Sequence, residues 1–463
     1  MKKTNTAYSL RYICLVLIVM LSLAALTSCG SSVADKETIY ERMENTPSDN
    51  TEYTYVVDYL TSWGIRNVDW FKFEWVESKY QSFYAYGDGL PTAVEHARMV
   101  ATAFLDNYYD VIDLKDKTTV TDALLLCYSD TVDDPYSIYR APEEYEAYYE
   151  DMSGSFGGVG MTVIQDDIAE TITVTSVYDD SPAKNAGILP GDVLYAVNGE
   201  TVAEIGYVNV LDRVRGKVGT SVNVIMKRGE EYLSFSMVRA IIQEKSVEYE
   251  IDTENNIAYI RVSGFKGNTV EQFVLAVDAA EEAGVSGIIF DMRSNPGGYL
   301  YVVKDMISYL VPTGHDIVSY QYSGSIKVFD KSLDDIHPTK KDDDGKPVVS
   351  DHKISVPVVV ICNQYTASAG ELFTAAIRDY DDENLIDATI VGTTTYKKGI
   401  MQQSYTYNLD GSSVTFTVAY YNPPCGDNYH GIGVVPDVEV TNTETEDLQY
   451  AKAVEELLLL INK

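Results

Sequence analysis

The sequence predicts a multi-domain chain of mixed α+β and α/β class: an N-terminal helical region, a small β-rich domain and an α/β core. Three observations carry this. The chain has 463 residues, 45% of them hydrophobic, which is material for roughly two to four domains with cores of their own. Between 153 and 240, short β-branched runs alternate with glycine turns. From 256 onward, apolar runs alternate with amphipathic stretches, the rhythm of parallel strands covered by helices.

Taken in order, Lys2, Lys3 and Arg11 flank the apolar run 13–26, which is short for a bilayer span. Leu26-Thr27-Ser28-Cys29-Gly30 follows. Small residues before a cysteine at the end of such a run resemble a bacterial lipobox, cut before Cys29, whose thiol then carries a diacylglycerol. An ordinary signal peptide or membrane anchor is the alternative, and either exports the rest of the chain. Residues 1–28 are thus read as a lipoprotein signal peptide and 29–52 as a polar, flexible tether. Residues 53–152 form the helical region. Within 93–109, Val94, Ala97, Val100, Ala101 and Phe104 share one helical face. Pro142 opens a further short helix at a first-turn position.

Residues 153–240 form the β-rich domain. Strands are expected at 171–174, 193–197 and 222–226, the second closed by Asn198-Gly199. Ser181-Pro182-Ala183 starts a short helix ending at Gly187. Residues 241–463 form the core, with strands at 257–262, 287–292 and 358–361. Its helices are expected at 270–283, 301–310, 368–380 and 447–461. The charged stretch 316–353 reads as an inserted hairpin or loop.

The net charge is −35, from 35 basic and 70 acidic residues. This argues against nucleic acid as a partner, because a phosphate backbone calls for clustered Lys and Arg. Of five cysteines, Cys14 and Cys29 fall in the targeting segment. Cys127, Cys362 and Cys425 remain, an odd set without a CxxC spacing. Neither a disulfide framework nor a zinc site is indicated. No metal, nucleotide or other cofactor is implied.

The sharpest chemistry lies at Ala367-Ser368-Ala369-Gly370-Glu371, where the strand 358–361 turns into the next helix. Small neighbours let a substrate carbonyl approach Ser368. The Ala369 amide, at the helix mouth, can stabilise an oxyanion. Ser368 can equally be read as a plain helix cap. A nucleophilic serine needs a base. Of the five histidines, His96, His315, His337, His352 and His430, none ends a buried strand; His430 is the rival base. Lys398 in Lys397-Lys398-Gly399 is the better choice, since a desolvated lysine can lose its proton and accept that of the serine. Taken alone, it is also an ordinary turn residue. Arg293-Ser294-Asn295-Pro296-Gly297-Gly298 follows another strand end, where ligand sites gather in open α/β sheets. Gly297 or Gly298 can bring a second amide to an oxyanion, or form a simple turn.

These pieces, in this order, resemble the S41 family of C-terminal processing (tail-specific) serine proteases with an embedded PDZ domain. The likeness runs from about 121 to the end. It rests on Gly154-Ser155-Phe156-Gly157-Gly158-Val159-Gly160, Ser181-Pro182-Ala183, Gly191-Asp192, Asn198-Gly199 and Arg215-Gly216. It continues through Asn295-Pro296-Gly297-Gly298, Ala367-Ser368-Ala369, Lys398-Gly399, Gln402, Ala419-Tyr420-Tyr421 and Gly433-Val434-Val435-Pro436-Asp437. The resemblance implies a PDZ domain at 153–240 ahead of a crotonase-like protease core at 241–463. It implies Ser368 as nucleophile, Lys398 as base and Gln402 as the residue that orients the amine. It also implies an oxyanion hole from Ala369 with Gly297 or Gly298, and a supporting Asp379. The edge Gly158, Val159, Gly160, Met161 is expected to take a substrate C-terminus by strand addition. Lys397 stands where the family has glycine, and Gly370 where serine is common.

The expected function is an exported, lipid-anchored serine endopeptidase of the bacterial cell envelope. Its partners are polypeptides with free C-termini and the membrane through Cys29; a homo-oligomer or a regulatory adaptor is left open. The alternative is a catalytically silent lipoprotein that binds or scaffolds peptides.

Overall fold

The protein is described by a computed structural model over residues 65, 67–83, 93–132, 134–166, 171–206, 209–322, 327–333, 335–341, 344–350 and 352–463. The expected signal peptide, tether and Cys29 lie outside these residues. The chain divides into two compact units: one comprising the N-terminal part to Glu146 with Gln321–Ile326 and Ile400–Tyr420, the other comprising Ala147–Tyr320, Lys327–Gly399 and Tyr421–Lys463.

Among the described residues, the first unit includes the helices Trp70–Phe83, Ala93–Asn107 and Lys117–Asp130. Four residues of the face read from sequence, Ala97, Val100, Ala101 and Phe104, join Phe73, Leu124 and Tyr128 in one core with Val414 and Phe416, while the side chain of the fifth, Val94, lies outside those described. Strand Ile138–Arg140 runs antiparallel to the start of Ser413–Asn422, which also pairs with Ile400–Thr406. Lys72, almost fully buried, is neutralised by Asp122 at 3.0 Å and Asp410 at 2.9 Å. Such a charge is tolerated only when paired. The short helix expected to open at Pro142 runs to Ser153, and none of its residues is buried.

The second unit holds the β-rich domain and the α/β core. In the domain, strands lie in the order Met161–Asp166, Thr171–Val177, Val193–Val197, Ser221–Arg228, Glu231–Val238. Ile172, Val174, Leu194, Val222, Val224 and Met226 fill the centre. Ser181 caps the helix Pro182–Ala186, and Gly187 ends it at φ +89°, in the left-handed region that glycine adopts at little cost. The chain enters and leaves this domain as a pair, Ser155–Gly158 running antiparallel to Ala240–Gln243. Asn268 holds both, donating to the carbonyls of Gly154 (2.8 Å) and Glu244 (2.9 Å).

The core sheet runs in the order Val247–Asp252, Ile257–Val262, Gly287–Asp291, Val358–Cys362, Ala388–Gly392, Val438–Glu439. The first pair is antiparallel and the rest are parallel. Gly287–Asp291 and Val358–Cys362 are buried throughout, as central parallel strands must be. Helices Thr269–Glu282, Leu300–Leu310, Ala369–Asp382 and Leu448–Ile461 match the four expected. Part of the insert 316–353 is a hairpin, Asp335–Lys341 against Pro347–Ser350. The carboxyl ends of the two central strands release the two turns that carry the candidate chemistry.

Candidate active site

The turns after Gly287–Asp291 and Val358–Cys362 lock into one another. The Ala367 amide donates to Asn295 O (2.8 Å), and Thr366 Oγ1 donates to Met292 O (2.8 Å). Ser294 N–H reaches Asn363 Oδ1 at 3.0 Å. Asn295 is fully buried; its side-chain amide donates to Val262 O (2.9 Å), and its Oδ1 accepts the Gly297 amide at 2.8 Å. The root of the first turn is anchored by charge. Arg293 forms a fork on the buried Asp291 carboxylate (2.6–3.0 Å) and reaches Asp447 at 2.6 Å, while the Tyr259 hydroxyl donates to Asp291 at 2.7 Å. Asp291 and Asp447 together hold the Arg293 guanidinium well above its usual range despite its burial.

This brings Gly297 and Ser368 face to face. A methyl group on Gly297 would lie 2.8 Å from Ser368 Cβ and 3.0 Å from the Ala369 nitrogen, so only glycine fits. The Gly297 amide is already engaged by Asn295, which leaves the amide of Gly298, at φ +147°, as the candidate second donor on that turn. Ser368 itself sits at φ +54°, ψ −118°, a strained backbone for a non-glycine residue and one that clusters at functional positions.

Glu371 is the residue that sequence reasoning passed over. It is completely buried, one turn into the helix behind Ser368. Its carboxylate accepts the amides of Ser368 (2.9 Å), Lys397 (2.7 Å) and Lys398 (2.7 Å), together with the Thr395 hydroxyl (2.5 Å). One buried anion therefore ties the backbone of the expected nucleophile to that of the expected base. The signal was present: Ser-x-x-Glu at a helix start is the capping-box pattern.

The opposite side of the turn that carries Lys398 is held by 421–431. Gly431 N–H donates to Lys397 O (3.0 Å), and the Tyr421 hydroxyl donates to Lys398 O (3.0 Å). Asn428 Nδ2 donates to Gly399 O (2.8 Å) and Tyr421 O (2.7 Å). Tyr421 Oη is also 3.5 Å from Ser368 Oγ, and Tyr429 Oη is 3.5 Å from Ser368 O. Burial and the neighbouring Tyr421 push the Tyr429 phenol well above its ordinary range, so it remains a donor. Lys397, the departure from the family's glycine, lies at φ +85°.

Two further expected residues, Asp379 and Gln402, make the following bonds. Asp379 accepts the amides of Cys425 (2.9 Å) and Gly426 (3.0 Å) and so braces the loop after Asn422. Burial raises its carboxyl above the usual range, against the pull of those two amides and Arg378. Gln402 lies in strand Ile400–Thr406, where its amide donates to Thr417 Oγ1 at 3.1 Å. The stretch expected to take a peptide, 158–161, lies in the β-rich domain. Val159 is buried, and Gly160, at φ +79°, lets its carbonyl accept Tyr178 N–H and Ser181 Oγ. Met161–Asp166 stands at the end of the described strand order, where an added strand can pair.

Comparison with known proteins agrees on the kind of chain. The model of peptidase family S41 matches residues 256–440, and that of the PDZ domain matches 173–228. The carboxy-terminal processing protease CtpA of Bacillus subtilis (strain 168) is 30% identical over 345 residues, 74% of this chain and 69% of that protein. The CtpA-like serine protease of Staphylococcus haemolyticus (strain JCSC1435) is 33% identical over 315 residues. That match spans 68% of this chain and 59% of the relative's length. A solved structure, the photosystem II D1 C-terminal processing protease, has 23% identity and a TM-score of 0.45, covering 84% of this chain and 96% of that one.

Proposed function

The chain belongs to peptidase family S41, and from that premise we propose that it is an exported serine endopeptidase with a Ser368–Lys398 pair, its substrates presented by the PDZ domain. The observation that carries the reading is the Glu371 carboxylate, which holds the Ser368 amide and the Lys398 amide on one buried group. In the proposed cycle Ser368 Oγ attacks a peptide carbonyl and gives its proton to the neutral Lys398 amine. The Ala369 and Gly298 amides take the charge that develops on the carbonyl oxygen. Lys398 then protonates the leaving nitrogen, and water, deprotonated by the same amine, releases the acyl group from Ser368.

The PDZ strand edge captures a C-terminal segment, and export and membrane attachment follow from a lipid on Cys29. The sequence 26–30 supports that attachment. Lipid labelling of cells making the full chain, lost on Cys29→Ala, would bear it out; equal labelling of both would remove it.

The central test uses the chain from Gly30 onward and an unstructured protein with an apolar, free C-terminus. Wild type should cut it, while Ser368→Ala and Lys398→Ala, folded by circular dichroism, should not. A wild type that binds this C-terminus without cutting favours the silent scaffold. Full rates after removal of 154–240 would refute PDZ presentation. Loss of rate in His430→Ala together with a normal rate in Lys398→Ala would transfer the base role to His430.

A further inference from the structure

The turn that carries Lys398 is held at its backbone from two sides. Glu371 takes the amides of Lys397 and Lys398. The carbonyls of residues 397, 398 and 399 are taken by Gly431 N–H, the Tyr421 hydroxyl and Asn428 Nδ2 respectively. Tyr421 contributes twice, because its own N–H also points at Gly399 O (3.3 Å). It is also within reach of the nucleophile, its Oη lying 3.5 Å from Ser368 Oγ.

A phenol has one hydrogen. The 3.0 Å contact to Lys398 O claims it over the 3.5 Å contact to Ser368, because hydrogen bonds weaken steeply with length. The phenol oxygen, which also shares a hydrogen bond with Tyr429, is then left to accept from the serine hydroxyl. Tyr421 thus touches the backbone of one partner and the reacting atom of the other. Its ring is fixed from below: it is buried, packs edge-on against Tyr429 at 6.0 Å and 80°, and has its carbonyl held by Asn428.

We propose that Tyr421 is a positioning residue that sets the spacing between the Ser368 hydroxyl and the Lys398 turn and steadies that hydroxyl before it passes its proton to the amine. The proposal rests on the Ser–Lys reading above. Removing the phenol oxygen takes the hydroxyl donor away from Lys398 O and lets the turn relax, exposing the amine to water.

The test is Tyr421→Phe, which keeps the ring. kcat should fall roughly 10- to 100-fold with KM within twofold, because positioning acts on the chemical step. The acidic limb of kcat/KM should move to higher pH by about half a unit or more, since a better solvated lysine holds its proton more tightly. Tyr309→Phe is the control. It also deletes a buried hydroxyl, one bound to Asp278 at 2.7 Å, and should lower stability while leaving kcat and the limb unmoved. If Tyr421→Phe does not fold, Asn428→Ser opens the same clamp from its other side and should reproduce both changes. An unmoved limb with kcat within twofold of wild type, in whichever variant folds, overturns the proposal. A wild type that does not cut, or a Ser368→Ala variant that does, overturns the Ser–Lys reading and this proposal with it.

Discussion

Lys397 occupies a backbone conformation that suits glycine, at φ +85°. The reason is local. Its amide must reach Glu371 (2.7 Å) while its carbonyl meets Gly431 N–H (3.0 Å), and both bonds fix the turn before Lys398. A side chain in this region costs about 1–2 kcal/mol, against about 0.5–1 kcal/mol of extra chain entropy that glycine would lose on folding. Lys397→Gly should therefore stabilise the protein by roughly 0.5–1 kcal/mol, read as a rise in the urea midpoint at constant m. Lys397→Ala removes the charge but keeps the side-chain carbon, and should give no such rise. A gain from alanine equal to that from glycine would mean that charge, not conformation, sets the cost.

At the scale of elements, the site is two strand-to-helix turns clasped by a third segment, 421–431, and a brace at its base. Asp379 supplies the brace by holding the Cys425 and Gly426 amides. Its carboxyl is raised by burial, so the folded protein prefers it protonated, and ionisation costs stability. That cost is absent below the unfolded value near 4 and grows as pH rises through the folded value. The side-chain carbonyl of an asparagine at this position can accept the same two amides without charge. Asp379→Asn should therefore match wild type near pH 3.5 and exceed it in stability at pH 7 by urea unfolding, whereas Asp379→Ala should be weaker at both. If Asp379→Asn loses more stability at pH 7 than at pH 3.5, the carboxylate is being stabilised by its surroundings and this account is wrong. Much of this layer was legible in sequence. The apolar runs at 287–292 and 358–361 and the amphipathic helices between them declare their periods, and the Gly and Ser turns mark the strand ends. What was not legible were bonds between residues distant in the chain. Nothing near Asp379 signals amides at 425 and 426, and nothing near Tyr421 signals the carbonyl of Lys398. Glu371 was readable as a cap for its own helix; its grip on 397 and 398 exists only once the sheet has brought the strands together. The insert was readable only as hairpin or loop, because its charged residues carry no clear period of 2.

At the scale of the whole molecule, the net charge of −35 sets a field that any polypeptide meets before it meets the PDZ edge or Ser368. Charges of one sign act together over about 10 Å at 0.1 M salt and further at lower ionic strength, and such fields change encounter rates by roughly 10- to 1,000-fold. Long-range attraction acts on encounter rather than on the bond-breaking step, so it should appear in kcat/KM and leave kcat alone. Two unstructured substrates with the same scissile region and C-terminus, one flanked by lysines and one by glutamates, isolate this effect. From about 20 mM to 0.5 M salt, kcat/KM should fall by roughly tenfold for the lysine-flanked substrate and rise for the glutamate-flanked one. The two should converge at high salt, where screening leaves only the short-range contacts of the site. Parallel salt dependence of both substrates would mean that the charge serves solubility alone, and that selection among polypeptides rests on their C-termini and on the chemistry around Ser368.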